Sequence, residues 1–444
     1  MTLQSAVVLD LFVVCSAIML LALRGGLRAS HPAVLYIGFH LTVLSTRAWA
    51  LLNGAPATLF VTEQETVKAL LVADLGLACA TVGWLTARSL SANAASSEAG
   101  DSGWWRPFDD RRMWAVIVAT VPVGLVTLVT YARIPGSEAA QSEVTTSYQT
   151  LAVTWPGLAL LVLIYRYGFR WYLMFPMLAY LSLMAVQGFG RYRLVLPLIL
   201  LVVMWLDRKG RAWPPVWMLA GFVAVAILFV PLKSIGVAIQ AGGGLDVFRD
   251  EVSRSFEETR TGTASDQTIL DGLAATISLT DDRGSFFLGS PYLNVLTLPI
   301  PRPLWEGKPG LNEHLVELST PIRPLASIGA VSTLPGDIYL NFGWLGVGLV
   351  MFVFARWTAS LWRRAYSSAM THRSAQRLLF LLFFAAFVQV ARDGLISLPV
   401  FILVHQLPLA AIVALHFRIP RGERSPRGRP RNTARRTGRE VAIR

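Results

Sequence analysis

SAVVLDLFVVCSAIMLLAL, Ser5 to Leu23, is an unbroken apolar run with one charge, Asp10. Coiled as a helix at about 1.5 Å per residue, it reaches roughly 28 Å, close to the thickness of a bilayer hydrocarbon core. No basic segment precedes it and arginines follow it, so it reads as a retained span rather than a cleaved leader. Runs of this kind recur along the chain. Of its 444 residues 54% are hydrophobic and 15% charged, against roughly 45–50% and about 25% in soluble domains. The chain therefore reads as an all-α polytopic membrane protein.

Hydropathy places about eleven spans, near 5–23, 33–52, 67–87, 113–132, 151–167, 171–187, 194–206, 215–232, 337–355, 375–390 and 395–417. The organisation that follows is 1–233 with eight spans, an extracytoplasmic loop over 234–336, three spans over 337–417, and a basic tail over 418–444. The tail lacks the apolar residues to build a core and reads as disordered. The net charge of +13 suggests a nucleic-acid partner only until its distribution is read. The loops after odd-numbered spans, with Arg166 and Arg377 at the adjoining span ends and the tail, hold 26 of the 40 basic residues. The positive-inside rule then puts the N-terminus outside and the C-terminus in the cytoplasm, in a multi-pass protein of the cytoplasmic membrane with no nucleic-acid role. Cys15 and Cys79 both lie in apolar runs, so no disulfide framework is read.

The long loop is acidic, seven basic residues against twelve acidic. Segments 247–260 and 270–279 read as short helices, and the proline-rich 297–309 fits neither helix nor central strand. Phe286, Phe287, Tyr292 and Trp305 argue that the loop is ordered. Ionisable residues at membrane depth are costly and mark a site by default. Asp10, Arg47 and Asp74 fall toward the outer leaflet, as do Arg191 and Arg193 in a glycine-rich turn, Asp337, and the Arg392-Asp393 turn. His40 and His405, in the other half, read as packed or hydrogen-bonded histidines. Two arginines beside Gly188 and Gly190 suit a phosphate or pyrophosphate. Asp337 and Asn341, at i and i+4, share a helix face with a carboxylate and an amide. Asp337 also reads as an N-cap, with Tyr339 and Trp344 as interfacial aromatics.

Four segments resemble the oligosaccharide repeat-unit polymerases, the O-antigen polymerase or Wzy-type family. They are Gly188-Phe-Gly-Arg-Tyr-Arg193, Leu298-Pro-Ile-Pro-Arg-Pro-Leu-Trp-Glu-Gly-Lys-Pro309, Leu334-Pro-Gly-Asp-Ile-Tyr-Leu-Asn-Phe-Gly-Trp-Leu-Gly346 and Arg392-Asp-Gly394. They fall in family order within the C-terminal 60% of the chain, while the first four spans contribute only hydropathy. Asp337 stands where the family often has Glu, and Arg392-Asp-Gly replaces a tighter Arg-Gly. The resemblance implies a GT-C-like, metal-independent glycosyltransferase of surface-polysaccharide biosynthesis in the cell envelope. Its substrate would be undecaprenyl pyrophosphate-linked oligosaccharide, and a flippase and a chain-length regulator would be its partners. On that reading Arg191, Arg193 and Arg392 hold the pyrophosphate, and Arg302 and Lys308 reach the donor phosphate or a sugar carboxylate. Asp337 is the first candidate base, with Glu306 and His314 behind it. Tyr339, Asn341 and Arg47 complete the substrate-binding set. No HxH, DxD or Cys/His spacing appears, so neither metal nor other cofactor is expected. The alternatives are an O-antigen ligase-like glycan transferase, a lipid-linked oligosaccharide flippase or polysaccharide transporter, and a non-catalytic assembly subunit.

Overall fold

The computed structural model describes all residues except 26, 88–107, 131–151, 187–191, 219–248, 251–252, 255–256, 258–267, 298–299, 301–303, 311, 326–330, 367–373 and 418–444, and the side chains of 129–130, 185–186 and 192. Regular structure among the described residues is helical. We number the helices α1 (Leu3–Leu23), α2 (Pro32–Leu52), α3 (Glu63–Thr86), α4 (Asp110–Thr130), α5 (Trp155–Tyr167), α6 (Trp171–Val186) and α7 (Tyr192–Lys209). In the loop are α8 (Ile269–Arg283) and α9 (Glu313–Leu318), followed by α10 (Thr333–Ala365), α11 (Ala375–Asp393), α12 (Ser397–His405) and α13 (Leu407–His416).

Among the described residues six helices, α1–α4, α10 and α11, are long and apolar enough to cross a membrane, and α12 with α13 passes the same test only as a pair bent by 82°, a broken span or a re-entrant loop. Those six are the spans the structure supports. Of the remaining expected spans, α5 and α6 are shorter apolar helices. α7 ends in Asp207-Arg208-Lys209. The run 215–232 falls almost wholly outside the described residues, as do most of the helix expected at 247–260 and the tail.

Helix starts follow local chemistry. Thr62 and Glu65 form a reciprocal capping box on α3, which satisfies amide donors that a helix start leaves open. The Leu3 amide donates to Glu63 Oε1 at 2.8 Å, tying the start of α1 to the start of α3. Ser374 caps α11.

Packing divides the apolar interior in two. α1, α2, α3, α8 and α10 share one cluster, and α4–α7 with α13 share another. α11 joins them, giving Phe387, Val390 and Ala391 to the first and Leu378, Phe380 and Phe384 to the second. The most extensive pairing is α3 against α10. A stripe of small residues on α3 (Ala69, Ala73, Gly76, Ala80 and Gly83) is buried throughout. A Cβ on Gly83 would lie 2.4 Å from the Phe352 carbonyl. In a bilayer, close backbone approach of this kind replaces the hydrophobic drive that water supplies elsewhere.

Two helices contain a widened π turn, His40–Ser45 in α2 and Phe401–His405 in α12. α10 is also irregular. It starts at Thr333, four residues before the expected span at Asp337, and breaks at Gly343 (φ 65°, ψ −160°).

Candidate functional site

The break in α10 organises the loop-bearing end of the bundle. A helix interrupted at Gly343 loses the amides that would pair with the carbonyls just before it. The loop supplies replacements, because Phe287 N donates to Leu340 O and Leu288 N to Asn341 O, each at 3.1 Å. Asn341 Oδ1 accepts from Gly289 N at 3.0 Å. Glycine is required at 343, since its φ is positive and a Cβ there would lie 2.7 Å from the Phe286 ring. The Asn-Phe-Gly segment thus works as a helix break sealed by the loop. Sequence reading missed this, having taken the segment for the opening of a helix.

One turn earlier, Asp337 is fully buried. Its Oδ2 accepts from Leu395 N at 2.8 Å, Ile396 N at 3.4 Å and the Tyr292 hydroxyl at 3.1 Å. Asn341 Nδ2 donates to its backbone oxygen at 2.8 Å and to Oδ1 at 3.4 Å. Burial, and then the Asp337 charge, push the Tyr292 phenol well above its usual range. Gly394 (φ 88°) presses on the same carboxylate, so a Cβ there would come within 2.5 Å of Asp337 Cβ. Asp337 therefore fastens three segments, the start of α10, the turn after α11 and the loop. Its lone pairs are engaged and water does not reach it, so the geometry assigns it a positioning role. A general base needs an open path to the hydroxyl it deprotonates.

Arg392 stands at that junction with its side chain 38% exposed, 3.8 Å from Asp393 Oδ1. Gln389 donates to the other Asp393 oxygen. Arg193 lies buried at the start of α7. It lines a cavity with Thr154, Tyr180, His405 and Gln406. Leu196 of α7 and Ala386 of α11 share a contact cluster. Arg193 is three residues before Leu196 and Arg392 six after Ala386, about 4.5 and 9 Å along their helices. The two guanidiniums therefore belong to the same end of an antiparallel pair. Arg191 and Arg302 lie outside the described residues.

The other expected site residues are placed as follows. Glu306 is exposed, and Lys308 Nζ donates to Ile300 O at 2.8 Å. Asn294 Nδ2 reaches Gly310 O at 3.4 Å, tying the end of the proline-rich segment to the turn that carries Tyr292. His314 is buried edge-on to Phe287, beneath an Arg283 that covers the same ring at 4.0 Å and pairs with Glu317 at 2.7 Å. Tyr339 is buried and donates to Asp281 Oδ1 at 2.8 Å, while Lys68 pairs with the same aspartate.

Arg47 corrects the expectation of a substrate contact. It makes a two-pronged, buried pair with Asp271, Nε to Oδ1 at 2.9 Å and NH2 to Oδ2 at 2.7 Å. NH2 also donates to Pro56 O at 2.8 Å. Thr58 donates to Asp271 Oδ2 from both its amide and its hydroxyl, at 2.7 Å each. With Glu65–Arg323 at 2.9 Å, these pairs bind the loop to α2 and α3. The Arg47–Asp271, Lys68–Asp281 and Glu65–Arg323 pairs had no sequence signal beyond charge, because the members of each lie more than two hundred residues apart.

A second constellation lies deeper. His40 Nε2 is 2.7 Å from Asp10 Oδ1 and 3.4 Å from Asp74 Oδ1, joining α1, α2 and α3. These three residues are the described group whose donor atoms lie close enough together to hold a metal ion. His40 is thus buried and hydrogen-bonded, with two aspartates as the partners that sequence reading did not name.

In comparisons with known proteins, no family model, no curated protein and no solved structure matches the chain.

Proposed function

We propose that this chain is a glycosyltransferase of the cytoplasmic membrane that polymerises undecaprenyl pyrophosphate-linked oligosaccharide repeat units at the outer face. The observation that carries the reading is the Asp337 knot. Of the four segments that resemble the polymerases, 334–346 and 392–394 meet at Asp337. The proline-rich segment is tied to the same junction through Tyr292 and Asn294. The distribution of basic residues along the sequence supports, by the positive-inside rule, a junction that faces away from the cytoplasm.

The chemistry asked of such a site is limited. The bond from the anomeric carbon to the pyrophosphate breaks, a bond to the acceptor hydroxyl oxygen forms, and the hydroxyl proton passes to the departing pyrophosphate. The pyrophosphate departs with its charge, so the protein's main task is electrostatic. Arg392 is the half-exposed cation at the junction, with Arg193 at the same end of the neighbouring helix and Arg191 two residues before it. Asp337 and Gly394 hold the turn that presents Arg392. Tyr339, Asn341 and Arg47 act in the framework, through Asp281, Gly289 and Asp271.

A transporter for the same lipid-linked glycan is the second reading, favoured by the Asp10–His40–Asp74 cluster, which puts ionisable groups at membrane depth. The test is production of surface polymer in cells whose only copy is Arg191→Ala or Arg392→Ala. With protein level preserved, both are expected to accumulate single lipid-linked repeat units on the outer leaflet. Accumulation on the inner leaflet would assign transport. Full-length polymer in both would remove the arginine clamp.

A further inference from the structure

We propose that Asp10, His40 and Asp74 form a binding site for one divalent transition-metal ion of the zinc type, which cross-links α1, α2 and α3 inside the membrane. Asp10 lies seven residues into α1 and Asp74 eleven into α3, about 10 and 16 Å from helix starts that are themselves tied together. The site adjoins the start of α10, since a Cβ on Gly76 would lie 3.2 Å from Pro335 Cβ, yet it shares no side chain with the Asp337 knot.

The donor set comes first. Both carboxylates present an oxygen to the same imidazole nitrogen, and all three donor atoms lie within 4.8 Å of one another. Ligands bonded to one tetrahedral zinc-type ion at about 2.0–2.2 Å lie roughly 3.4 Å apart, the present His40–Asp74 separation, so a shift of under about 1 Å at Asp10 opens the 2.7 Å His40–Asp10 contact to admit the ion. One imidazole with two carboxylates is a donor set suited to this class of metal.

A second observation points to a missing ligand. Asp10 Oδ2, both Asp74 oxygens, His40 Nδ1 and the Tyr36 hydroxyl are buried with no hydrogen-bond partner. Tyr36 sits one turn before His40, its ring centre 6.5 Å from the imidazole. No lysine or arginine pairs with either aspartate among the described residues. With the imidazole nitrogen bound to a metal, the two carboxylates would sum to two negative charges in an apolar interior, where unpaired charge is strongly disfavoured. One divalent cation cancels that sum, and its coordination sphere takes up the idle carboxylate oxygens. The local backbone agrees, since His40 begins the π turn His40–Ser45, a widened turn of the sort found at ligand sites.

The test uses full-length, tag-free protein in lipid nanodiscs, incubated with Zn2+ or Co2+, desalted and assayed for metal by mass spectrometry. Wild type is expected to retain about one ion per chain. His40→Gln and Asp74→Asn are expected to bind at least about tenfold more weakly, and to lose the visible absorption of bound Co2+. Should either variant fail to fold, wild type alone decides. Micromolar Zn2+ is expected to raise its thermal midpoint, and a chelator to reverse the rise. Equal metal content in wild type and both variants would overturn the proposal. So would a metal-free wild type with no metal-dependent shift, which would leave the cluster neutralised by protons alone.

Discussion

Replacing Arg47 by methionine separates a framework role from a substrate-binding one. The side chain is buried and two-pronged on Asp271, so its removal strands a carboxylate that keeps only the two Thr58 donors. Stranding one member of a buried pair costs about 3–5 kcal/mol. At about 1.36 kcal/mol per decade, that is two to four orders of magnitude in the equilibrium for opening the contact between α2 and α8. Removing both charges, as in Arg47→Met with Asp271→Leu, leaves no stranded ion and is expected to recover most of the loss. The assay is hydrogen exchange of the α8 amides in nanodiscs, read beside polymer formation in cells. The single variant should exchange α8 faster by that factor, while the double variant should protect α8 and still make polymer. A single variant with wild-type exchange would refute the buried-pair argument. A double variant that is protected yet inactive would return Arg47 to the substrate.

Two further substitutions probe the knot. Gly343→Ala forces a side chain into positive φ against the Phe286 ring, and is expected to cost about 1–3 kcal/mol. It should speed proteolysis of the 286–289 segment without unfolding the bundle. Tyr292→Phe deletes a hydrogen bond to Asp337 and is expected to cost about 1.5–3 kcal/mol near neutral pH. The raised Tyr292 pKa fixes the sign of its pH dependence. Stability from the neutral phenol is intact below the unfolded value of 10.0 and is lost as pH rises beyond it. The difference from wild type should therefore shrink above about pH 10 in a thermal-shift series. A difference that grows there would contradict the placement.

The spans were legible where apolar length alone decides. α1, α3 and α11 lie close to their sequence-derived positions because a long run in lipid has to close its own backbone hydrogen bonds. The break in α10 was not legible because the carbonyls before Gly343 are satisfied by the Phe287 and Leu288 amides, more than fifty residues upstream. Asp337 and Asn341 were legible as one face of a helix. That the face would be sealed by the loop and by Gly394 was not, since it needs two tertiary contacts at once. His40 was assigned to the opposite half from Asp74 by counting along separate helices. Both residues fall near mid-span, so a difference of about one turn decided the half. Arg47–Asp271 is a pair across 224 residues, beyond the reach of any local pattern.

The most direct test of the polymerase reading is a reconstitution. Purified protein in liposomes receives undecaprenyl pyrophosphate-linked repeat units on the face opposite the basic tail, and the lipid-linked products are resolved by size. The account predicts a ladder of multiples with pyrophosphate-lipid released in step, and its loss in Arg392→Ala at unchanged protein level. Repeat units that cross the bilayer without lengthening, or a full ladder from Arg392→Ala, would contradict it.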